Sequence, residues 1–287
     1  MKAGLIVYNL TQYSDKYMQQ INAYMNAFDK IHINLLKASN SEVIENFDKY
    51  CKVKFVIFYD KDIALAREFE LHGIRVFNRS STISLCDDKA LTYQELKKNK
   101  VPMPKTVVLP YAMGQNLYDY LEKIKPIVAQ FTYPFIIKER VGSFGDQVYL
   151  VNDENELASI LRLHGDKPLL IQEYIEASKG KDVRAFVIGN KVVIAVNRIN
   201  ENDFRSNVNQ GGVMSIYKKK GNIKKIAIKA SLAVNADFSG VDIVFNSKNK
   251  PLVLEVNSNP RTESIKEATK VDVTTQVARY VKRNYRS

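Results

Sequence analysis

Apolar residues occur along this chain in short blocks whose period switches repeatedly between that of a strand and that of a helix. Residues 2–8 run apolar, as a first strand does. Met18, Ile21, Met25 and Phe28 then recur at helical spacing within residues 13–30. Residues 31–36 read as a second strand, 42–50 as a helix, and 53–59 as a third strand ended by Asp60. A helix over 63–71 is capped by Gly73 before the run Ile74-Arg75-Val76-Phe77. This alternation predicts a small parallel sheet in residues 1–78. The first strand leads into Val7-Tyr8-Asn9-Leu10-Thr11, without the glycine turn of a dinucleotide fold.

Residues 78–84 are polar and read as a linker. A helix then runs through Leu96 and breaks at Asn99-Lys100-Val101-Pro102-Met103-Pro104. A strand over 106–109 and a helix over 117–129 follow. Residues 134–151 spell strand, glycine loop, strand. Lys138 ends the first apolar run, and Gly142-Ser143-Phe144-Gly145 lets backbone N–H groups approach an anion. This is not a Walker A loop, because no Gly-Lys-Ser/Thr and no helix follow. Taken alone it fits a tight hairpin equally well. Beyond a helix over 155–163 and a buried strand over 168–175, residues 182–189 and 191–198 pair as a hairpin across Gly189-Asn190. Residues 203–212 form a loop dense in phosphate-capable groups. Helices are expected over 222–234 and 271–285, the last with Val273, Val277 and Val281 on one face.

The most informative stretch lies between those helices. Gly240-Val241-Asp242-Ile243-Val244-Phe245 and Pro251-Leu252-Val253-Leu254-Glu255-Val256-Asn257 read as a hairpin stopped by Asn259-Pro260. Glu255 and Asn257 are two apart and share one face of their strand. A carboxylate embedded in an apolar run is costly unless paired or metal-bound. Asp242, Glu255 and Asn257 offer oxygen ligands with no Cys or His, a set that suits Mg²⁺ or Mn²⁺. Mg²⁺ held by so few carboxylates usually takes substrate phosphates as further ligands, which directs attention to the upstream glycine loop.

Composition narrows the class without naming it. The 287 residues suit two or three α/β subdomains. No apolar run reaches membrane-span length, and the start is too strand-like for a signal peptide. Cys51 and Cys86 form neither a disulfide framework nor a zinc pattern, so a cytoplasmic location is expected. The net charge of +12 makes an acidic partner plausible, although its densest cluster, Lys218-Lys219-Lys220 with Lys224 and Lys225, reads as a solvated turn.

Taken together, the motifs resemble the ATP-grasp superfamily, and within it the RimK-type α-L-glutamate ligases. The resemblance runs from Asn78 to about Thr275. It rests on Cys86-Asp87-Asp88-Lys89, Ile136-Ile137-Lys138, Gln172-Glu173-Tyr174-Ile175, Gly180-Lys181-Asp182-Val183-Arg184, Asp203-Phe204-Arg205-Ser206-Asn207, Gly240-Val241-Asp242-Ile243 and Glu255-Val256-Asn257-Ser258-Asn259-Pro260, in family order. It implies an α/β ATP-grasp fold with three parts: an N-terminal pre-grasp domain (1–85), a central subdomain with the glycine loop (86–175), and a C-terminal subdomain with the metal site (176–287).

The resemblance also implies roles. Lys89 and Lys138 contact ATP phosphates, under a loop that includes Gly142, Ser143 and Phe144. Gln172, Glu173, Tyr174 and Ile175 form the hinge at the adenine, and Asp182 holds the ribose. Arg205, Ser206 and Asn207 line the γ-phosphate and reaction centre, with Arg205 and Lys138 as the catalytic pair. Asp242, Glu255 and Asn257 hold two Mg²⁺ ions, and Asn257 also faces the substrate. Arg184 and Arg198 are expected at a substrate carboxylate, since guanidinium groups grip carboxylates in bidentate fashion. Two departures stand out: bulky Phe144 in the glycine loop, and Arg261 where relatives often carry Gly, close enough to the reaction centre to alter which substrate fits.

The implied reaction is ATP-dependent carboxylate–amine ligation through an acyl phosphate. It adds glutamate or a similar amino acid to a peptide, protein, carrier or small-molecule acceptor, an acidic one fitting the basic chain best. Two alternatives remain at this stage: a kinase on the same scaffold acting on a small-molecule hydroxyl, and a ribosome- or RNA-associated nucleotide-binding module. The family often forms dimers or tetramers, so a homo-oligomer is among the expectations. No membrane association is expected.

Overall fold

The computed structural model describes residues 4–12, 14–112, 114, 116–142, 145–206, 211–219 and 221–286. The first layer contains β1 (Gly4–Tyr8), α1 (Asp15–Asp29), β2 (Leu35–Ser39), α2 (Asn40–Glu45), α3 (Phe47–Tyr50), β3 (Phe55–Tyr59), α4 (Ile63–Leu71) and β4 (Arg75–Phe77). Its sheet has the order β2-β1-β3-β4, with every pair parallel. β3 is buried on both faces: Phe55, Ile57 and Tyr59 enter one core while Val56 and Phe58 enter another. That explains its unbroken apolar run. The second strand starts later than its apolar pattern suggests, because Leu35 and Ala38 are the residues that reach the core. The helix expected over 42–50 is split at Asn46, while a reciprocal cap between Ser39 and Glu42 satisfies the first turn of α2.

Residues 78–84 are largely helical rather than a linker. Residues 80–84 belong to α5 (Ser80–Asp87). Ser and Thr disguise this helix because they favour caps and turns in isolation. Tertiary bonds hold it instead, among them Thr82 Oγ1 to the Asn235 carbonyl at 3.0 Å. Next come α6 (Lys89–Lys98), β5 (Thr106–Val108), α7 (Leu117–Val128), β6 (Phe135–Glu139), β7 (Val148–Val151), α8 (Glu154–His164) and β8 (Leu169–Glu173). These strands form an antiparallel sheet in the order β5-β8-β6-β7, with α7 and α8 packed into its core.

The last lobe is a five-stranded antiparallel sheet in the order β11-β10-β9-β12-β13. Its strands are β9 (Lys181–Ile188), β10 (Lys191–Ile199), β11 (Val213–Ile216), β12 (Phe238–Phe245) and β13 (Pro251–Asn257). They are joined by α9 (Gly221–Ala233) and followed by α10 (Glu263–Thr269) and α11 (Val273–Asn284). β11 is only four residues long, and α10 carries few apolar residues, so neither announces itself in the sequence.

The cores do not follow the sequence divisions. Leu96 and Val101 pack into the core of the last lobe, although they fall in the stretch assigned to the central one. The stripe Val273, Val277 and Val281 of α11 joins α1 and the first sheet in one shared core. Burying each of these valines contributes roughly 1.5 kcal/mol. Asn78, fully buried, ties the first layer to the last lobe. Its Nδ2 donates to the carbonyls of Phe238 at 2.9 Å and Ser258 at 2.7 Å, and its Oδ1 accepts from Asp237 N at 2.7 Å. No helix among the described residues is long and apolar enough to cross a membrane.

Candidate active site

Strand register assembles the charged centre. Asp242 on β12 lies directly opposite Arg184 on β9 and Glu255 on β13. Arg198 on β10 lies directly opposite Asp182 on β9. Arg184 Nε and Nη2 each stand 2.6 Å from one oxygen of Asp242. Arg198 Nη2 reaches the same carboxylate at 2.8 Å and also grips Asp182 through Nε at 2.7 Å. The two arginines expected at a substrate carboxylate therefore have protein carboxylates as their partners, because the antiparallel register places each pair face to face. Asp182, expected at the ribose, also receives Ser206.

Burial alone would raise the Asp242 carboxyl, but the guanidinium groups of Arg184 and Arg198 outweigh it and hold the group well below the usual carboxylate range. Asp182 is pushed up, chiefly by burial and further by Asp242, against the pull of Arg198. Of the two coupled carboxyls, Asp242 is the one held ionised. Glu255 stands within hydrogen-bond range of Asp242. Asn257 Nδ2 donates to Glu255 Oε1 at 3.0 Å.

Lys89 stands at the start of α6 and Lys138 on β6 of the central sheet. Asp88 caps α6, accepting from Ala90 N at 2.8 Å and Leu91 N at 3.3 Å, so Lys89 begins the helix beside the glycine loop. Lys89 Nζ donates to the Gly142 carbonyl at 3.0 Å, and Arg205 Nη1 to the Gly145 carbonyl at 2.7 Å. The two cations thus hold opposite ends of that loop. Ser143, Phe144 and Asn207, all expected at the nucleotide, lie outside the described residues. Lys138, at the end of β6, is buried and donates to Gln172 Oε1 at 2.7 Å. Burial depresses its amine to about 8 and lowers that of Lys89 as well; Glu255 acts on both in the opposite sense.

At the junction of the lobes, Glu173 Oε2 accepts from Lys105 N at 3.1 Å, and Tyr174 meets Phe204 edge-on at 6.4 Å. Gly180 immediately precedes β9, at φ +63°. A Cβ there would lie 2.1 Å from the Asn200 carbonyl oxygen, so only glycine lets the loop after β10 pass this close.

These groups meet in one cleft of about 350 Å³. Lys89, Lys138, Gly142, Gln172, Glu173, Tyr174 and Ile175 line one side. Asp182, Arg184, Arg198, Arg205 and Ser206 line the other, with Asp242, Glu255, Asn257 and Arg261. The sequence reading overlooked the N-terminal wall, which comprises Lys16, Tyr17, Gln20, Tyr59, Asp60 and Lys61, and also Glu263 and Glu267 of α10. A signal for Tyr59 and Asp60 existed: they stand at the carboxyl end of a parallel strand, where open α/β sheets bind ligands.

No group of three His, Cys, Asp or Glu side chains suited to a metal occurs among the described residues. The expected ligand set is a different one, two carboxylates and an amide. A contacting carboxylate pair on neighbouring strands, with an amide oxygen beside it, fits a hard cation. The cluster of Lys89, Lys138 and Arg205 around a glycine loop fits a triphosphate.

Two antiparallel lobes closing on lysines from one side and carboxylates from the other define the ATP-grasp class. A family model for the RimK-like ATP-grasp domain matches residues 86–281. A Mycoplasma pneumoniae protein named "Uncharacterized protein MG012 homolog" is 35% identical over 272 residues, covering 90% of this chain and 92% of that one. A Vibrio vulnificus protein named "Probable alpha-L-glutamate ligase" is 34% identical over 232 residues, covering 80% of this chain and 73% of its own. In structure, D-alanine–D-alanine ligase from Bacillus anthracis superposes with a TM-score of 0.75 at 16% identity, covering 99% of this chain and 97% of its own. A RimK domain protein from Sphaerobacter thermophilus superposes with a TM-score of 0.71 at 18% identity, covering 97% and 99%. The chain belongs to the RimK-like ATP-grasp ligases.

Proposed function

We propose that this cleft joins a carboxylate to an amine at the expense of ATP, with glutamate or a similar amino acid as one substrate and a peptide, protein or small molecule as acceptor. One observation carries the reading: Lys138 of the central sheet and Lys89 at the start of α6 line the same cleft as Asp242 and Glu255 of the last lobe, and Glu255 acts electrostatically on both lysines. A triphosphate between them meets cations on one side and metal ligands on the other.

In this reading Lys89, Lys138 and Arg205 hold the phosphates and stabilise the charge that develops on the γ-phosphoryl group. A carboxylate oxygen of the substrate attacks the γ-phosphorus, ADP leaves, and an acyl phosphate forms. The amine attacks the activated carbonyl, a C–N bond replaces the C–O bond to phosphate, and the amine gives up a proton. Asp242, Glu255 and Asn257 would hold Mg²⁺, two ions with Mn²⁺ as substitute, and that charge would neutralise the triphosphate. Arg184 and Arg198 keep Asp242 ionised for that purpose. The hinge from Gln172 to Ile175 receives the adenine, with Asp182 at the ribose and Ser206 toward the γ-phosphate. The glycine loop, anchored by Lys89 and Arg205, excludes water from the acyl phosphate.

The test is a matrix of amino acids and acceptors assayed for ADP and phosphate release, with products weighed. ADP release that requires both partners, with a product heavier by one amide-linked residue, supports the reading. A product that retains phosphate selects a kinase, and ADP release independent of any amine rules out ligation.

A further inference from the structure

The roles assigned above leave one corner of the cleft unused, where the carboxyl end of β3 meets the segment between β13 and α10. Four buried atoms in this corner have no hydrogen-bond partner among the described residues: the Tyr59 hydroxyl, Asp60 Oδ2, Asn259 Oδ1 and Glu263 Oε1. All four residues line the cleft. Tyr59 and Asp60 are only 5% and 4% exposed, so bulk water is no substitute partner. Buried acceptors without donors are costly and few in native chains, and several in one place call for a ligand.

Three of the side chains are held in position. Asp60 Oδ1 accepts from Asn9 Nδ2 at 2.8 Å and from Lys61 N at 2.7 Å, which fixes the carboxylate plane. Asn259 Nδ2 donates to the Asp60 carbonyl at 3.0 Å, which fixes its amide. The Tyr59 ring packs beside Tyr17 and Tyr24, with centroids 5.5 and 5.9 Å away. Glu263, across the corner, acts electrostatically on Tyr59. The orphan oxygens of Asp60 and Asn259 are therefore the second polar atoms of side chains already held, and the Tyr59 hydroxyl stands on a ring already packed.

Their chemistry selects the ligand. Three are acceptors, two of them from acidic side chains, and the phenol serves as either donor or acceptor. Two carboxylates, Asp60 and Glu263, face this corner against one guanidinium, Arg261, that acts on Tyr59, so an anion would meet more like charge than opposite charge. A protonated primary amine brings three N–H donors and one positive charge, which matches three acceptor oxygens. An acidic corner is also not a by-product of composition in a chain of net charge +12.

We propose that Tyr59, Asp60, Asn259 and Glu263 form a subsite for the ammonium group of the amino-acid substrate, an assignment that builds on the ligase reading.

Calorimetric titration tests this with the full chain, ADP and Mg²⁺ present, and L-glutamate and N-acetyl-L-glutamate as probes. The wild type is expected to bind the free amino acid and to reject the acetylated form. Asp60→Asn and Glu263→Gln each lose about tenfold or more in affinity for the free form, as expected for a charged hydrogen bond. ADP affinity stays unchanged, which serves as the control for folding. Equal binding of the two probes, no binding of either, or unaltered affinity in both variants overturns the subsite, whatever the ADP-release assay shows. Amine-selective binding combined with ADP release that no amine stimulates leaves the subsite standing and removes the ligase reading instead.

Discussion

Arg184 and Asp242 face each other across adjacent strands, with two guanidinium nitrogens each 2.6 Å from one carboxylate oxygen. Arg198 completes the clamp from the next strand at 2.8 Å. Asp242 is thereby buried as an anion and presented to the cleft.

Removing Arg184 leaves that anion with one guanidinium. Arg184→Met is expected to cost about 2–4 kcal/mol of stability, below the full cost of breaking a buried pair because Arg198 remains. Urea unfolding measures it. Asp242→Asn, in contrast, is expected to keep the strand geometry and abolish ADP release. Retained turnover in Asp242→Asn would remove Asp242 from the metal site.

Lys138 carries a pH signature. Its buried amine titrates at about 8, against 10.5 for an exposed lysine. Between those values the unfolded chain binds more protons than the folded one, so this group's contribution to stability rises with pH across that window. Triphosphate binding has the opposite requirement, since it needs the charged amine. The KM for ATP is expected to be flat below pH 8 and to climb above it. Lys138→Arg, charged throughout, should lose that climb, and KM measured from pH 6.5 to about 9.5 decides.

Asp88 supports Lys89 without standing in the list of chemical roles. Burial would raise its carboxyl, but the Arg140 guanidinium and the two capped N–H groups outweigh it and depress it. Its contribution is therefore complete above the unfolded carboxyl value of about 3.9 and disappears as pH falls through the depressed folded value. Asp88→Ala is expected to cost about 1–2 kcal/mol at neutral pH, to be nearly silent at the lowest pH, and to raise the KM for ATP through a misplaced Lys89. Unfolding midpoints across that pH range, beside the wild type, check it.

Asn78 has all its polar atoms bonded in a fully buried position between the first layer and the hairpin that carries Asp242 and Glu255. Asn78→Ala removes partners from two carbonyls and two N–H groups, and an expected loss of about 3 kcal/mol follows. Asn78→Asp, which cannot donate through the lost amide, should be equally poor. A thermal shift of less than a degree or two in both would deny the tie its structural weight.

The elements that local periodicity specifies were legible from the chain alone: the helix Ile63–Leu71, the hairpin of β9 and β10, and the stripe on α11. The candidate oxygen ligands Asp242, Glu255 and Asn257 drew attention because a carboxylate in an apolar run is conspicuous, and strand pairing sets them on one cleft. Helix α5 was not, since its Ser and Thr side chains find partners only in the folded molecule. Nor was α10, whose polar sequence reads as loop.

Tertiary structure alone decided what the charges do. Strand register turned Arg184 and Arg198 toward Asp242 and Asp182, and register depends on which residues of distant strands come to lie opposite each other. The return of α11 onto α1 brought the end of the chain back to the first layer. The corner formed by Tyr59, Asp60, Asn259 and Glu263 joins segments some two hundred positions apart, so no local pattern records it. Periodicity and composition act along the chain, whereas a binding site is a property of the surfaces that folding brings together.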